Sequence, residues 1–337
     1  MGADAWRAQW PRRLAIRPRF RRQAAAPVKI TEVAAAVIEK PDGSFLLGQR
    51  APDTFYAGYW EFPGGKVEAG ETPRAALIRE LREELAIEVT QATPWIVREH
   101  VYAHAHVRLH FFRVTGWRGE IRDHVHTALA WQQPDNVNVT PMLPANAPVL
   151  AALTLPDIYG ITHAHEIGVP SQLALLEREL ANGLRLAQLR EAKLPADQRE
   201  TFAAAAAALC RKHHARLLVN GDAALAQTIG ADGLHLTSSQ LKNLNAKPSF
   251  PLVAASCHDA AELKQAAQLQ LDFVVLGAVK PTASHPGQSG MGWPAVAALL
   301  ENYPLPVYAI GGLSRADLAE ARLIGAQGIA AIRALWG

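Results

Sequence analysis

Glu80, Glu83 and Glu84 stand three and four residues apart, so in a helix their carboxylates project from one face. Carboxylates that close repel one another, and a divalent cation removes that cost. Hard oxygen ligands that leave room for water favour Mg²⁺ or Mn²⁺ bound together with substrate phosphates. The flanking residues predict the helix, since Thr72 is a suitable N-cap and Pro73 suits the first helical position. Arg79, one turn before Glu83, can hold the carboxylates in place. Gly64 and Gly65 let the backbone approach the cation, so Gly64 joins Glu80, Glu83 and Glu84 as a candidate metal contact.

The segment 65–87 resembles the Nudix box, G-x5-E-x7-R-E-U-x-E-E-x-G-U with U aliphatic, matching it at Gly65, Glu71, Arg79, Glu80, Leu81, Glu83, Glu84 and Ile87. Ala86 stands where the family has its last glycine, which asks a residue with a Cβ to make the turn after the helix. The resemblance implies an αβα sandwich, a Mg²⁺ or Mn²⁺ cofactor and substitution at phosphorus by a metal-activated water. Glu80, Glu83 and Glu84 are then catalytic ligands with Arg79 beside them. The water's proton goes to Glu80 or to a later loop residue, with Asp123, His124 and Glu120 all open.

Residues outside the box resemble the MutT type, which hydrolyses oxidised purine nucleoside triphosphates. That likeness implies conversion of 8-oxo-dGTP to 8-oxo-dGMP and pyrophosphate, a sanitation of the nucleotide pool that avoids mutation during DNA replication. Arg50 falls where that type has a basic residue near the substrate. Phe62, in Trp60-Glu61-Phe62-Pro63-Gly64-Gly65, either stacks on a purine or packs in the core. Asn146, in Ala145-Asn146-Ala147-Pro148-Val149, either reads the oxidised base through an amide that donates and accepts, or caps a short helix. His104, His106 and His110 alternate as on one face of a strand and are read as solvent or pocket residues rather than zinc ligands.

A second group of polar residues stands at the ends of apolar runs in the other half: Gln188 and Arg190, Asn220, His235, Ser256 and His258, Gly311 and Gly312. The half resembles the thiamine phosphate synthase and thiazole tautomerase superfamily at Gln188-Leu189-Arg190-Glu191, Ala231-Asp232-Gly233-Leu234-His235-Leu236 and Ala309-Ile310-Gly311-Gly312. It departs from the synthase pattern at the displaced Lys193, at Asn220-Gly221 in place of Asn-Asp, at Gln240 in place of an acid and at His285 in place of a lysine. Without those acids the Mg²⁺ of a synthase lacks a home. The resemblance to the tautomerase branch instead makes His258, in Ser256-Cys257-His258, a proton shuttle on a thiamine-related phosphate. A ligand-binding or scaffold role without catalysis is the remaining alternative. The phosphate is expected on backbone amides near Gly311-Gly312 and Ala331-Ile332, with Arg333 either binding or blocking it.

Positioning these residues takes two domains, and 337 residues are comfortable for two. The first, 28–154, is expected to carry a strand at 33–38, a turn at Pro41-Asp42-Gly43, a hairpin partner at 45–50, further strands at 95–101, 107–114 and 128–132, and a helix at 148–153. The second, 157–337, alternates eight apolar runs with Ala-rich helical stretches such as 200–212, which implies a (β/α)8 barrel with its site at the strand C-terminal ends. The runs are 158–162, 184–189, 216–220, 233–236, 252–256, 273–277, 307–310 and 328–332. The chain reaches Gly337 soon after the last, which predicts a barrel lacking its final outer helix. The short linker Leu155-Pro156 predicts domains packed against each other.

Composition excludes other classes. Hydrophobic residues make up 49% of the chain without a run of membrane-spanning length. Seven of the arginines lie in an Arg-rich leader, 1–27, against the single acid Asp4, read as a disordered tail or over-long start with a transit peptide or polyanion-binding arm as the alternatives; with a total formal charge of +3, this leaves about −3 elsewhere. A stable nucleic-acid complex of the folded part is therefore not expected. Two cysteines, Cys210 and Cys257, are too few for a disulfide framework and fit a reducing cytoplasm. The expected partners are a nucleotide and a small phosphate; the oligomeric state stays open.

Overall fold

The computed structural model describes residues 30–282 and 289–337. The chain divides into two compact units, Met1–Thr154 and Leu155–Gly337. The predicted leader and His285 lie outside the described residues.

The first unit contains β1 (Ile30–Ile38), β2 (Phe45–Gln49), β3 (Trp60–Glu61), β4 (Gly64–Lys66), α1 (Pro73–Leu85), β5 (Glu88–Val101), β6 (His106–Arg118), β7 (Ala128–Gln132) and α2 (Ala147–Leu153). Two sheets form, ordered β4-β1-β6-β5 and β3-β2-β7. The expected pairing of β1 with β2 as a hairpin is not what forms. Asp42 does make the turn, its carboxylate accepting from Ser44 N at 2.9 Å. Both edges of β1 are occupied, however, by antiparallel β4 and parallel β6. β2 therefore crosses into the second sheet, leaving one bridge between Glu39 and Phe45.

Strand alternation builds the layers. Ala34, Ala36 and Ile38 of β1 bury against Ala76, Leu77, Leu81 and Leu85 of α1. Ala35 and Val37 point the other way, into a core with Trp60, Phe62, Phe111 and the α2 residues Val149, Ala152 and Leu153. The result is helix, sheet and helix, with α1 fixed by four apolar side chains on the face away from its acids.

The ends of α1 follow the expected chemistry. Thr72 Oγ1 accepts from Ala75 N at 3.2 Å, and Pro73 opens the first turn. Ala86 ends the helix in the left-handed region, φ 56° and ψ 30°, with its N–H bonded to Arg82 O. A side chain there costs energy that glycine does not. Ala86→Gly is expected to raise stability by about 0.5–1 kcal/mol after the extra entropy of the unfolded glycine is deducted. Chemical denaturation of the two proteins checks this, and a lower midpoint would contradict it.

The second unit is a closed parallel barrel: β8 (Ile158–Ile161), β9 (Leu186–Leu189), β10 (Arg216–Asn220), β11 (Gly233–Leu236), β12 (Leu252–Cys257), β13 (Phe273–Gly277), β14 (Val307–Ile310) and β15 (Gly328–Ala331), with β15 pairing β8 to close it. Tyr159, Phe273 and Tyr308 fill its interior, their ring centroids 5.2 to 5.7 Å apart. The Ala-rich helix Ala196–Lys212 buries Phe202, Ala203, Ala206, Ala207 and Cys210 on the outside. A single helical turn, Arg333–Trp336, follows β15, and Trp336 Nε1 donates to Ile161 O at 2.8 Å. Among the described residues no helix is long and apolar enough to cross a membrane.

Candidate functional site

α1 and the short β4 bring the acids to the backbone of Gly64-Gly65. Gly64 N donates to Glu84 Oε2 at 3.1 Å. A Cβ on Gly65 would lie 2.2 Å from the Glu80 carboxyl carbon, and one on Gly64 2.1 Å from Ala34 O. Only glycines admit the carboxylates and the β1 backbone this closely. Arg79 clamps the cluster as expected: Nη1 reaches Glu80 at 2.8 Å, Nη2 reaches Glu71 at 3.0 Å and Lys66 O at 3.0 Å.

Glu84 is the electrostatic centre. Burial, together with the charges of Glu80, Glu61 and Asp123, pushes its carboxyl up to about 8, against the opposing hydrogen bond from Gly64. The predicted ligand set is not gathered in advance. Glu83 turns outward, its side chain 61% exposed, and touches Arg79 at 3.5 Å. Among the described residues no group of three His, Cys, Asp or Glu side chains is close enough to hold a metal ion. The reason is the repulsion noted above, which Arg79 relieves by taking Glu80. The donor chemistry nevertheless fits a hard divalent cation, because a half-buried carboxylate with acidic neighbours lacks only positive charge.

A pH dependence follows. The folded carboxyl of Glu84 is raised from 4.5 to about 8, so between those values the unfolded chain binds fewer protons and its contribution to stability falls as pH rises. In chelator, the melting temperature is expected to drop across pH 5–8. Saturating Mg²⁺ should flatten that slope, and a slope of equal size with Mg²⁺ would contradict this account.

Glu61 was not assigned from the sequence, and Asp123 was left open among three loop residues. Glu61, between the aromatics Trp60 and Phe62, is itself raised by burial and binds Arg50 through both oxygens at 2.7 and 2.6 Å. Arg50 also donates to Phe55 O at 2.7 Å. The expected substrate-facing arginine is thus held by an acid eleven residues away, and a carboxylate flanked by aromatics beside the box was the available signal. Asp123 is the one of the three open loop residues whose charge reaches Glu84; its Oδ1 accepts from His126 N at 2.7 Å. Glu120 pairs with Arg122 in solvent, and His124 contributes its N–H to Glu84 O at 3.0 Å.

Phe62 is 4% exposed, tilted on Phe45 and edge-on to Phe111, a core position. Asn146 precedes α2 but its side chain does not cap it; among the described residues the buried amide makes long contacts, 3.5 Å to Trp60 O and 3.7 Å to Met142 Sδ. Beside it stands an aromatic wall. Tyr102 meets Tyr56 and His104 at 5.4 and 5.6 Å, and Phe55 stacks on His104 at 4.3 Å while 69% exposed. His104 therefore belongs to the turn between β5 and β6, not to a strand face; His106 pairs Glu99 and His110 pairs Glu32.

At the C-terminal end of the barrel lies a cavity of about 830 Å³. Of the predicted rim residues, Gln188, Arg190, His235, Ser256, His258, Gly311 and Gly312 line it, and Asn220 does not. His235 and Ser256 lie in its wall, with His235 Nε2 at 2.9 Å from Ser256 Oγ and Nδ1 at 3.2 Å from the OH of the buried Tyr159 beneath. Burial, with Arg190 adding to it, pushes His235 down to about 3, so the ring is neutral. Gln240, where an acid was sought, is occupied in capping: it bonds Thr237 and donates to Gly221 O at 2.8 Å. Arg333 borders the cavity with its guanidinium held by Glu166 at 2.7 and 2.9 Å. His258 Nδ1 is 2.9 Å from Glu262 Oε2.

A family profile described as thiamine monophosphate synthase matches residues 158–335, and one described as NUDIX domain matches 34–152. The chain is 44% identical over 131 residues to the CTP pyrophosphohydrolase of Escherichia coli (strain K12), covering 37% of this chain and 92% of that protein. It is 42% identical over 95 residues to the 8-oxo-dGTP diphosphatase of Proteus vulgaris, covering 28% and 85%. The second half is 36% identical over 186 residues to the putative thiamine-phosphate synthase of Geobacter sulfurreducens, covering 53% and 86%.

Proposed function

The chain belongs to the Nudix hydrolases through its first half and to the thiamine monophosphate synthase family through its second, and on that footing we propose that the first half cleaves a nucleoside triphosphate to the monophosphate and pyrophosphate, favouring 8-oxo-dGTP. The carrying observation is the half-buried Glu84 carboxyl, raised to about 8 beside Glu80, Glu61 and Asp123, with Glu80 packed against the glycine pair of β4. Mg²⁺ or Mn²⁺ held by Glu80, Glu84 and an added Glu83 or Asp123 would neutralise phosphate charge and acidify a water. With such a cation in place the Glu84 carboxyl would be held ionised, its proton released to solvent. Arg79 keeps Glu80 and Glu71 aligned while the phosphates enter. Asp123, not engaged by Arg79, takes the proton of the attacking water. The uncapped amide of Asn146 reads the base edge, donating and accepting at once.

Identity of 44% to a CTP pyrophosphohydrolase favours a second reading, a pyrimidine triphosphate. The fusion itself favours a third, a thiamine-related pyrophosphate whose product passes to the barrel. In the barrel, the cavity takes a thiamine-related phosphate with His258 as the proton-transfer group; coupling that needs the missing acids is not part of the proposal.

Pyrophosphate release from 8-oxo-dGTP, dGTP and CTP, and orthophosphate release from thiamine diphosphate, for wild type and Asn146→Ala, separate these. A preference for 8-oxo-dGTP that falls about tenfold or more in the variant is expected, the cost of an unmet base-edge contact. Preference for CTP, or for thiamine diphosphate unaffected by Asn146→Ala, replaces the first reading by the second or third.

A further inference from the structure

His258 ends the turn after β12, and the helix Ala260–Gln268 starts two residues later with Asp259 as its cap, Oδ1 accepting from Glu262 N at 2.8 Å. That cap sets Glu262 in the first turn directly over His258. One carboxylate oxygen of Glu262 accepts from His258 N at 2.7 Å and lies 2.9 Å from His258 Nδ1. The other accepts from Ser238 Oγ at 2.5 Å and from Lys242 Nζ at 2.8 Å. The residue is 3% exposed. Burial alone would raise its carboxyl, yet the donors Lys242, Ser238 and His258 bring it down to about 2.

An ionised carboxylate only accepts hydrogen bonds, so the ring nitrogen facing it must carry the proton. The opposite nitrogen, Nε2, is then bare in the neutral ring. The His258 side chain is 57% exposed and lines the cavity with Ser256 and Arg190. No partner for Nε2 is found among the described residues. From this geometry we infer that Glu262 is a positioning residue: it fixes His258 as the Nδ1–H tautomer and presents Nε2 to the barrel cavity as a base. The inference rests on the reading that His258 serves the cavity's ligand. It assigns this half a Glu–His pair that needs no metal, set apart in sequence and in fold from the acid cluster of the first half. Lys242 and Ser238 act behind it by keeping the carboxylate ionised and oriented, as a second layer of hydrogen bonds orients a reacting group elsewhere.

The test is the ring ¹⁵N spectrum of the full chain labelled at histidine, at a pH where the ring is neutral, with His258 assigned by loss of its signals in His258→Gln. The Nδ1–H form is expected in about tenfold excess or more, the ratio that a hydrogen bond to a charged acceptor sustains. In Glu262→Gln that excess should collapse. An Nε2–H ring in wild type overturns the inference, as does an unchanged ratio in the variant. The wild-type spectrum decides alone should the variant not fold. Proton exchange on a thiazole carboxylate phosphate is measured separately: its absence from a protein with the Nδ1–H ring removes the catalytic reading of the barrel and leaves the role of Glu262 in place.

Discussion

Glu84→Gln should lower the rate of pyrophosphate release by about 10²–10³-fold, the usual loss when one preorganised charge is taken from a reacting centre. Glutamine keeps the shape and can still accept from Gly64 N, the 3.1 Å contact that ties α1 to β4. What it removes is a charge crowded by Glu80, Glu61 and Asp123. Stability should move the opposite way. In chelator at pH 8 and above, a neutral amide relieves the repulsion that a carboxylate meets there, so the variant is expected to melt higher than wild type while turning over far less. Added Mg²⁺ should raise the melting temperature of wild type and leave the variant nearly unmoved. Activity within about threefold of wild type would remove Glu84 from the cation site. Lost activity with a lower melting temperature in chelator would mean the substitution simply damaged the helix.

The helix that carries this chemistry was legible because its signals are local. Thr72, Pro73 and the three-and-four spacing of the acids all act within a few residues, and the structure places the helix at Pro73–Leu85. The barrel was legible for a related reason, since eight apolar runs alternating with helical stretches admit few closed arrangements, and the strands appear in the expected order. Pairing is another matter. Pro41-Asp42-Gly43 turns the chain as read, but the partner of β1 is β6, whose residues His106 to Val114 lie about 76 positions on from Ile30 to Ile38. No short-range signal reports that choice. The same limit governs side chains: whether Arg50 faces a substrate depends on Glu61 across the β2–β3 pair, and whether Phe62 stacks or packs depends on Phe45 and Phe111. Glu83 shows the finer version, because a helix face spans enough angle for one of three acids to point into water. Asn220 shows it again at the barrel end: it pairs in register with His235, which lines the cavity, yet does not line it itself.

With Phe62 enclosed in the core, the surface left for a base is the wall of Tyr56, Tyr102 and His104. Tyr102 is the centre of it, touching Tyr56, His100 and His104 and lying within hydrogen-bonding influence of Ala145, the residue before Asn146. Burial pushes its hydroxyl up to about 12, so the ring stays neutral and stacks without charge. Glu61 and Arg50 both act on it, which sets it between the carboxylates and the uncapped amide. Stacking of a base on an aromatic contributes about 1–3 kcal/mol, so Tyr102→Ala should raise KM for the nucleotide by roughly 5- to 150-fold. On the reading proposed above the reacting phosphate would sit at the acidic end, so kcat should stay within about threefold. Tyr102→Phe keeps the ring and should behave as wild type, whereas a matching loss there would assign the effect to the hydroxyl and its bond near Ala145. The competing placement has its own signature. An unchanged KM in Tyr102→Ala with a raised KM in Phe62→Leu would put the base against the core ring and return the wall to a structural role.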